Sequence, residues 1–310
     1  MTKLLVFGSD SLVGSHFVEH TRHSVFAAGR RDPVERGLKV EAFQRTDLTD
    51  LGSIDATVRS SPADGVINFA AATEVDHVER ERAAEPSRAT GPAYELNALA
   101  PRAMALAARA SGKRFLTIST DFVFDGMDGP YDEAALPSAW SPRVGWYGWT
   151  KGEGERQVRE ADPEAVILRI AYPYRSHFTA KSDFARGLIQ RYRSGTLPPM
   201  FGDQQITPTW IPDVSRALET LADSRATGTF HASSPESTTP WEFARELLTK
   251  ATGTTVLPAR GSMAGFLERP GTTPRPLRGG LRVGRLPALG VPLTGWKHGI
   301  TAFVAEGGGA

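Results

Sequence analysis

The chain has 310 residues and no cysteine, with 36 Lys plus Arg against 35 Asp plus Glu and a formal charge of +1. That length suggests about two domains and a core able to bury roughly three quarters of the chain's accessible surface. The lack of thiols excludes disulfides and thiolate metal sites, and the balanced, interspersed charge offers neither a nucleic-acid face nor a polybasic membrane anchor.

At the N-terminus, "MTKLLVFGSD" runs straight into a short apolar stretch with no secretory h-region, and no segment nears the ~18 apolar residues of a membrane span. A cytoplasmic protein is expected. Short runs rich in Val, Ile, Leu and Phe follow in order: "KLLVFG", "SVFAAG", "KVEAFQ", "GVINFA", "RFLTIST" and "AVILRI". Most of the segments between them have helical character. Runs apolar on consecutive residues suit strands buried on both faces, which predicts an α/β fold: a Rossmann-type doubly wound parallel sheet.

After the first strand, "VFGSDSLVGSHFVEH" sets Gly8 before a tight turn and Gly14 at a helix start, where backbone N–H groups can meet a pyrophosphate. Ser11 stands where a dinucleotide fingerprint usually has a further glycine. The second strand ends in "AAGRRDP", with Arg30 and Arg31 and no acidic residue before Asp32. Guanidinium groups there favour the extra phosphate of NADP, with NAD still possible; two solvated arginines on a turn are the plain alternative. His16, His20 and His23 span a helix and its exit without a convergent acid, so no metal site is expected.

The Ala- and Leu-rich segment from Pro92 to Ser111 predicts a helix packed closely on the sheet and kinked at Pro101. The fifth strand ends in Ser119 and Thr120. Beyond it, Tyr147 and Lys151 share a helix face, an arrangement in which an ammonium favours the phenolate and a strand-end hydroxyl holds a substrate carbonyl. A solvent-facing helix pair is the alternative. After about Ala171 strand-like runs thin out and Pro and Gly become common, so residues 1–171 are assigned to the NADP-binding domain and 172–310 mainly to a smaller α/β substrate domain. Within the latter, Thr239, Pro240, Glu242 and Gly253 mark a capped helix.

Taken together, "GSDSLVG", "DLTD", "INFAAATEVDHVE", "LNALAP", "STDFVFDG", "YGWTK", "LRIAYPY" and "GDQQITPTW" resemble an extended short-chain dehydrogenase/reductase. Within it, the dTDP-4-dehydrorhamnose reductase family is the most similar. The resemblance implies that Gly8, Ser11, Leu12, Val13 and Gly14 form the pyrophosphate loop. Asp47 and Leu48 would contact adenine, and Ala71, Ala72 and Thr73 would lie beside the ribose and nicotinamide. Thr120, Tyr147 and Lys151 match the family's catalytic residues, with Lys151 also on the cofactor ribose, and Asp121 would lie near the sugar.

The implied reaction is reduction, by NADPH or NADH, of the ketone of a nucleotide-linked deoxysugar, with dTDP as the expected nucleotide. Tyr172 replaces a family tryptophan, and Tyr172, Pro173 and Tyr174 would line the sugar pocket, with core packing as the alternative for Tyr174 and Phe184. Phe184 and the "GDQQITPT" loop would approach the nucleotide. Arg175 and Lys181 would meet the diphosphate or simply be solvated. A nucleotide-sugar epimerase with tightly held NAD, and a non-catalytic NADP-binding regulatory subunit, are the rival readings. A homodimer is common among similar proteins.

Overall fold

The computed structural model describes residues 2–83, 85, 88–178 and 182–309. The apolar runs become β1 (Lys3–Phe7), β2 (Ser24–Gly29), β3 (Ala42–Arg45), β4 (Gly65–Asn68), β5 (Arg114–Thr120) and β6 (Val166–Ile170). All the residues of β4 and β6 are buried, which is why these strands read as mainly apolar stretches, whereas β3 lies at an edge and is largely exposed. Two short strands, β7 (Met200–Phe201) and β9 (Arg260–Gly261), pair apart from the main sheet, and β8 (Gly228–His231) joins it.

The main sheet runs β3-β2-β1-β4-β5-β6-β8 with every neighbouring pair parallel. Strand order reverses between β1 and β4, which opens a crevice at their carboxyl ends. Helices cover both faces. Val13, Phe17, Ile211, Val214 and Leu218 pack on one, and Ile54, Val58, Met104, Ala107 and Val158 on the other. A third apolar cluster, built on Tyr174, Trp210, Phe243, Trp296 and Phe303, forms the core of the later layer.

Because β8 and the helix Ile211–Asp223 come from beyond Ala171 yet complete the sheet layer, the chain crosses between layers more than once. This qualifies a single junction at residue 171. The helix Pro240–Thr252 carries the expected capping box of Thr239 and Glu242 and ends at Gly253 in the left-handed conformation. No helix among the described residues is long and apolar enough to cross a membrane.

Pro101 has its effect upstream. Lacking an N–H, it leaves the Asn97 carbonyl without its usual partner, and the preceding turn widens into a π-helix over Glu95–Leu99, with Ala100 N–H donating to Glu95 O. The freed Asn97 carbonyl packs against the helix Trp146–Ala161 at Gly154, where a Cβ would come within 2.0 Å of it. The predicted kink is therefore a docking feature.

Candidate active site

A cleft of about 780 Å³ opens over the carboxyl ends of β1, β4 and β5. Its first wall is the turn after β1. Gly8 has φ +73°, and a Cβ there would meet Ala70 N at 2.7 Å, so the turn and β4 approach as closely as only glycine allows. Ser11 caps the helix Leu12–His20, its Oγ accepting from Gly14 N–H at 3.1 Å, while Ser11 N–H donates to Gly8 O at 3.1 Å. In place of a glycine, then, Ser11 closes the turn on itself. First-turn amides have no partner inside a helix, and with Gly14's taken by Ser11 those of Leu12 and Val13 are left for an anion in the cleft that both residues line. This donor set fits a dinucleotide pyrophosphate.

Arg30 and Arg31 line the same cleft, as do Asp47 and Leu48. Arg31 Nε lies 3.0 Å from Asp10 Oδ2, and Arg36 Nε lies 3.8 Å from the same oxygen. The sequence reading missed both Asp10 and Arg36, because the turn that brings them to Arg31 is tertiary. The Asp47 carboxyl is held below its ordinary value by the N–H and hydroxyl of Thr49. Ala71 and Thr73 line the cleft, but Ala72 does not. Its N–H donates to Asn97 Oδ1 at 2.9 Å and its carbonyl accepts from Asn97 Nδ2 at 3.1 Å, which also reaches Thr150 Oγ1 at 3.1 Å. Asn97 thus ties the strand-end loop to the helix Trp146–Ala161.

That helix supplies Tyr147 and Lys151. Its first N–H, at Trp146, donates to Glu79 Oε2 at 2.6 Å, and a Cβ on Gly148 would sit 1.9 Å from Phe122 O. The close approach sets Tyr147 beside Thr120, whose side chain acts on its phenol. Burial pushes the Tyr147 phenol up to about 12, Thr120 opposes the rise and Asp121 adds to it. Lys151 Nζ donates to Ile118 O at 2.7 Å and is pulled down to about 8 by burial, against the attraction of Glu155. The expectation that Lys151 moves Tyr147 towards the phenolate is therefore corrected: desolvation dominates, and Tyr147 stays a phenol.

Asp121 is 1 % exposed; burial pushes its carboxyl up to about 7 in spite of the Gly280 N–H and the Thr120 hydroxyl, whose oxygen is 3.3 Å away. Tyr172 and Pro173 line the cleft, and Tyr172 is the one residue other than glycine with positive φ among those described, at 46°. A bulky side chain in that region is strained. Its ring packs 5.0 Å from Phe184 and 6.2 Å from Phe122, and its hydroxyl accepts from Gln204 Nε2 at 3.0 Å. Gln204, in the quoted "GDQQITPTW" stretch, also donates to Pro276 O at 2.9 Å.

Two expected pocket residues lie elsewhere. Tyr174 is fully buried in the third core cluster against Trp210 and Phe243, so of its two readings core packing is the one the structure shows. Arg175 is 3 % exposed, so it is neither solvated as expected nor part of the substrate cleft; its Nη2 donates to Ser15 Oγ at 3.1 Å and its Nη1 to Glu19 at 3.3 Å. Lys181 lies outside the described residues. No cluster of metal-ligating side chains occurs among the described residues; His16 stacks on His20 with ring centroids 4.1 Å apart and bonds Ser215 Oγ at 2.8 Å.

The parallel sheet, the glycine turn at its switch point and the Thr–Tyr–Lys corner together define a class: an NAD(P)H-dependent oxidoreductase of the extended short-chain dehydrogenase/reductase kind. Comparison with known proteins agrees. The chain is 32% identical over 276 residues to the dTDP-4-dehydrorhamnose reductase of Streptomyces griseus, covering 86% of this chain and 85% of that one. It is 34% identical over 260 residues to a Streptomyces antibioticus protein named "Probable dTDP-4,6-dihydroxy-2-methyloxan-3-one 4-ketoreductase", covering 82% and 81%. A crystal structure of a dTDP-4-dehydrorhamnose reductase from Clostridium acetobutylicum matches with a TM-score of 0.79 at 26% identity over 98% of each chain. The family model described as the RmlD substrate binding domain matches residues 1–308, and the chain belongs to that family.

Proposed function

We propose that this protein reduces the ketone of a dTDP-linked 4-keto-6-deoxysugar with NADPH. One observation carries the reading: Thr120, Tyr147 and Lys151 converge on the same cleft as the glycine turn after β1. The two relatives act, by their names, on dTDP-linked sugars.

In this reading Gly8, Ser11, Leu12, Val13 and Gly14 cradle the pyrophosphate, Arg30 and Arg31 meet the ribose phosphate, and Asp47 and Leu48 flank adenine. Ala71 and Thr73 border the nicotinamide half, with Ala72 only holding the loop in place through Asn97. When bound, the nicotinamide supplies the hydride. Thr120 holds the substrate oxygen by a hydrogen bond, and Tyr147 transfers its phenolic proton to that oxygen as negative charge develops there. Burial suits Tyr147 to this direction, because a phenol held protonated is a donor at every working pH. Lys151 contacts the cofactor ribose and stabilises the phenolate left behind. Asp121 and Tyr172 face the sugar hydroxyls, and residues 172–310 provide most of the remaining nucleotide-sugar contacts.

The test mixes the protein with NADPH or NADH and a panel of nucleotide-linked 4-ketosugars, following loss of reduced-cofactor absorbance and product stereochemistry. Stoichiometric oxidation of NADPH with a dTDP-linked ketone is expected. Purified protein that retains oxidised NAD and interconverts sugars with no net redox change is instead an epimerase. Cofactor binding without turnover of any sugar points to a non-catalytic subunit.

A further inference from the structure

One helical turn beyond Lys151 lies a buried ion cluster that the proton and hydride steps do not use. Glu155, 2 % exposed, accepts on Oε1 from Ser119 Oγ at 2.6 Å and Arg169 Nε at 2.8 Å. On Oε2 it accepts from Arg169 Nη2 at 2.6 Å and Arg159 Nη2 at 2.7 Å. Arg169 is wholly buried; its Nη1 donates to Ala135 O at 2.9 Å and lies 3.4 Å from His231 Nε2. Ser119 and Arg169 are register partners on β5 and β6. The cluster therefore joins the strand ending in Thr120, the strand leading to Tyr172, and the helix bearing Tyr147 and Lys151.

Such a buried pair is weak evidence for stability, because apolar residues of similar volume often do as well or better. Its position suggests another use. We propose that Glu155 is a positioning residue whose carboxylate, anchored by Arg169 and Ser119, keeps the Lys151 ammonium charged and seated against the Ile118 carbonyl. The inference rests on the proposed role of Lys151.

The surroundings leave this task to Glu155. Lys151 is 7 % exposed, and burial works against its charge. On the cleft side, Tyr147 and Tyr172 are phenols whose ionisation burial suppresses, and the Asp121 carboxyl is not among the charges that act on Lys151, where Glu155 alone opposes burial. On the other side stand the cations Arg159 and Arg169, with His231 kept neutral by burial and by Arg169. Burial alone would raise the Glu155 carboxyl, but Arg169, Arg159 and Ser119 hold it below its ordinary value, so it is anionic at neutral pH.

The test is the pH dependence of turnover with saturating NADPH, alongside the titration of the Lys151 side chain followed by NMR in the NADPH complex. In the wild type the rate is expected to fall on the alkaline side as Lys151 loses its proton. Glu155→Gln is expected to move that limb down by about one pH unit or more, leaving turnover near wild type on the acid side of the limb. Glu155→Asp restores most of the shift. Arg159→Met removes a partner that is 30 % exposed, leaves Glu155 less neutralised, and moves the limb upward. A purely structural role lowers turnover at every pH and gives no pair of opposite shifts.

Folded variants whose limbs stay at the wild-type position overturn the proposal. If Glu155→Gln does not fold, Ser119→Ala decides, because it strips a neutral donor from Glu155 Oε1 and removes no charge: an upward shift supports the proposal and an unmoved limb refutes it. If no ketosugar is turned over, the reductase reading fails, while the NMR titration still decides whether Glu155 holds the charge on Lys151.

Discussion

Gly14→Ala tests the phosphate turn most directly. The added methyl carbon would lie 2.3 Å from Gly8 O and 2.9 Å from Ser11 Oγ. Carbon–oxygen contacts relax only at about 3.3 Å, so one wall must retreat by about 1 Å. Both walls belong to the same turn: Ser11 N–H bonds Gly8 O, and Ser11 Oγ bonds the N–H of Gly14 itself. Overpacking of this kind costs about 1–3 kcal/mol of stability. Displacing the Leu12 and Val13 amides by about 1 Å weakens NADPH binding by the order of a hundredfold, or about 2.7 kcal/mol. Titration of tryptophan fluorescence with NADPH, together with a thermal melt, reads both quantities. Gly52→Ala is the control, since the nearest atom to its Cβ is Asp50 Oδ1 at 3.3 Å and Gly52 lies outside the cleft; affinity there stays unchanged. A Gly14→Ala protein that binds NADPH within about threefold of wild type and melts at the same temperature would refute the assignment of this turn.

Tyr147→Phe is expected to lower turnover by about a hundredfold or more while NADPH affinity survives, as steady-state rates beside a binding titration will show. Near-wild-type turnover would remove Tyr147 from the proton step. Replacing Arg30 and Arg31 with Ala should weaken NADPH by about tenfold to a hundredfold and leave NADH nearly untouched; equal losses for both cofactors would place the ribose phosphate elsewhere. Asp121 supplies a pH prediction. Its carboxyl rises from 3.8 to about 7 on folding, so between those values the folded protein holds a proton that the unfolded chain has released, and this group's contribution to stability falls as pH rises. The effect is at most about 4 kcal/mol by linkage. Urea midpoints measured across that range should slope downward for this contribution, and Asp121→Asn should flatten the slope; an identical slope in the variant counts against the buried, proton-holding carboxyl.

The sheet was legible because β1, β4 and β6 are buried on both faces apart from Lys3 and carry consecutive apolar residues, with Asn68 and Arg169 as the exceptions in β4 and β6. The cleft could be located from Gly8 and Gly14, since a close approach of backbone to backbone admits nothing larger. What escaped were contacts between distant segments. Asn97 and Gln204 stood in quoted stretches, but their partners Ala72, Thr150, Tyr172 and Pro276 lie far along the chain. Glu155 follows Lys151 by one helical turn, a spacing visible in the sequence, yet the arginine that gives it meaning sits on another strand. The Tyr147–Lys151 spacing showed a shared face without showing burial, and burial decides which way the phenol shifts.

The helix Trp146–Ala161 contains Gly148, Gly152 and Gly154, and a Cβ at these positions would run into Phe122, Pro137 and Asn97 respectively. Each interior glycine makes a helix about 1 kcal/mol less favourable than alanine would, so this segment has little tendency to coil before its neighbours arrive. Engineers who swap glycine for alanine to gain robustness would here gain local order only at the expense of collisions. The proton-transfer machinery is consequently assembled only in the finished protein, and any early folding species is expected to be inert even where its nucleotide cradle has already formed.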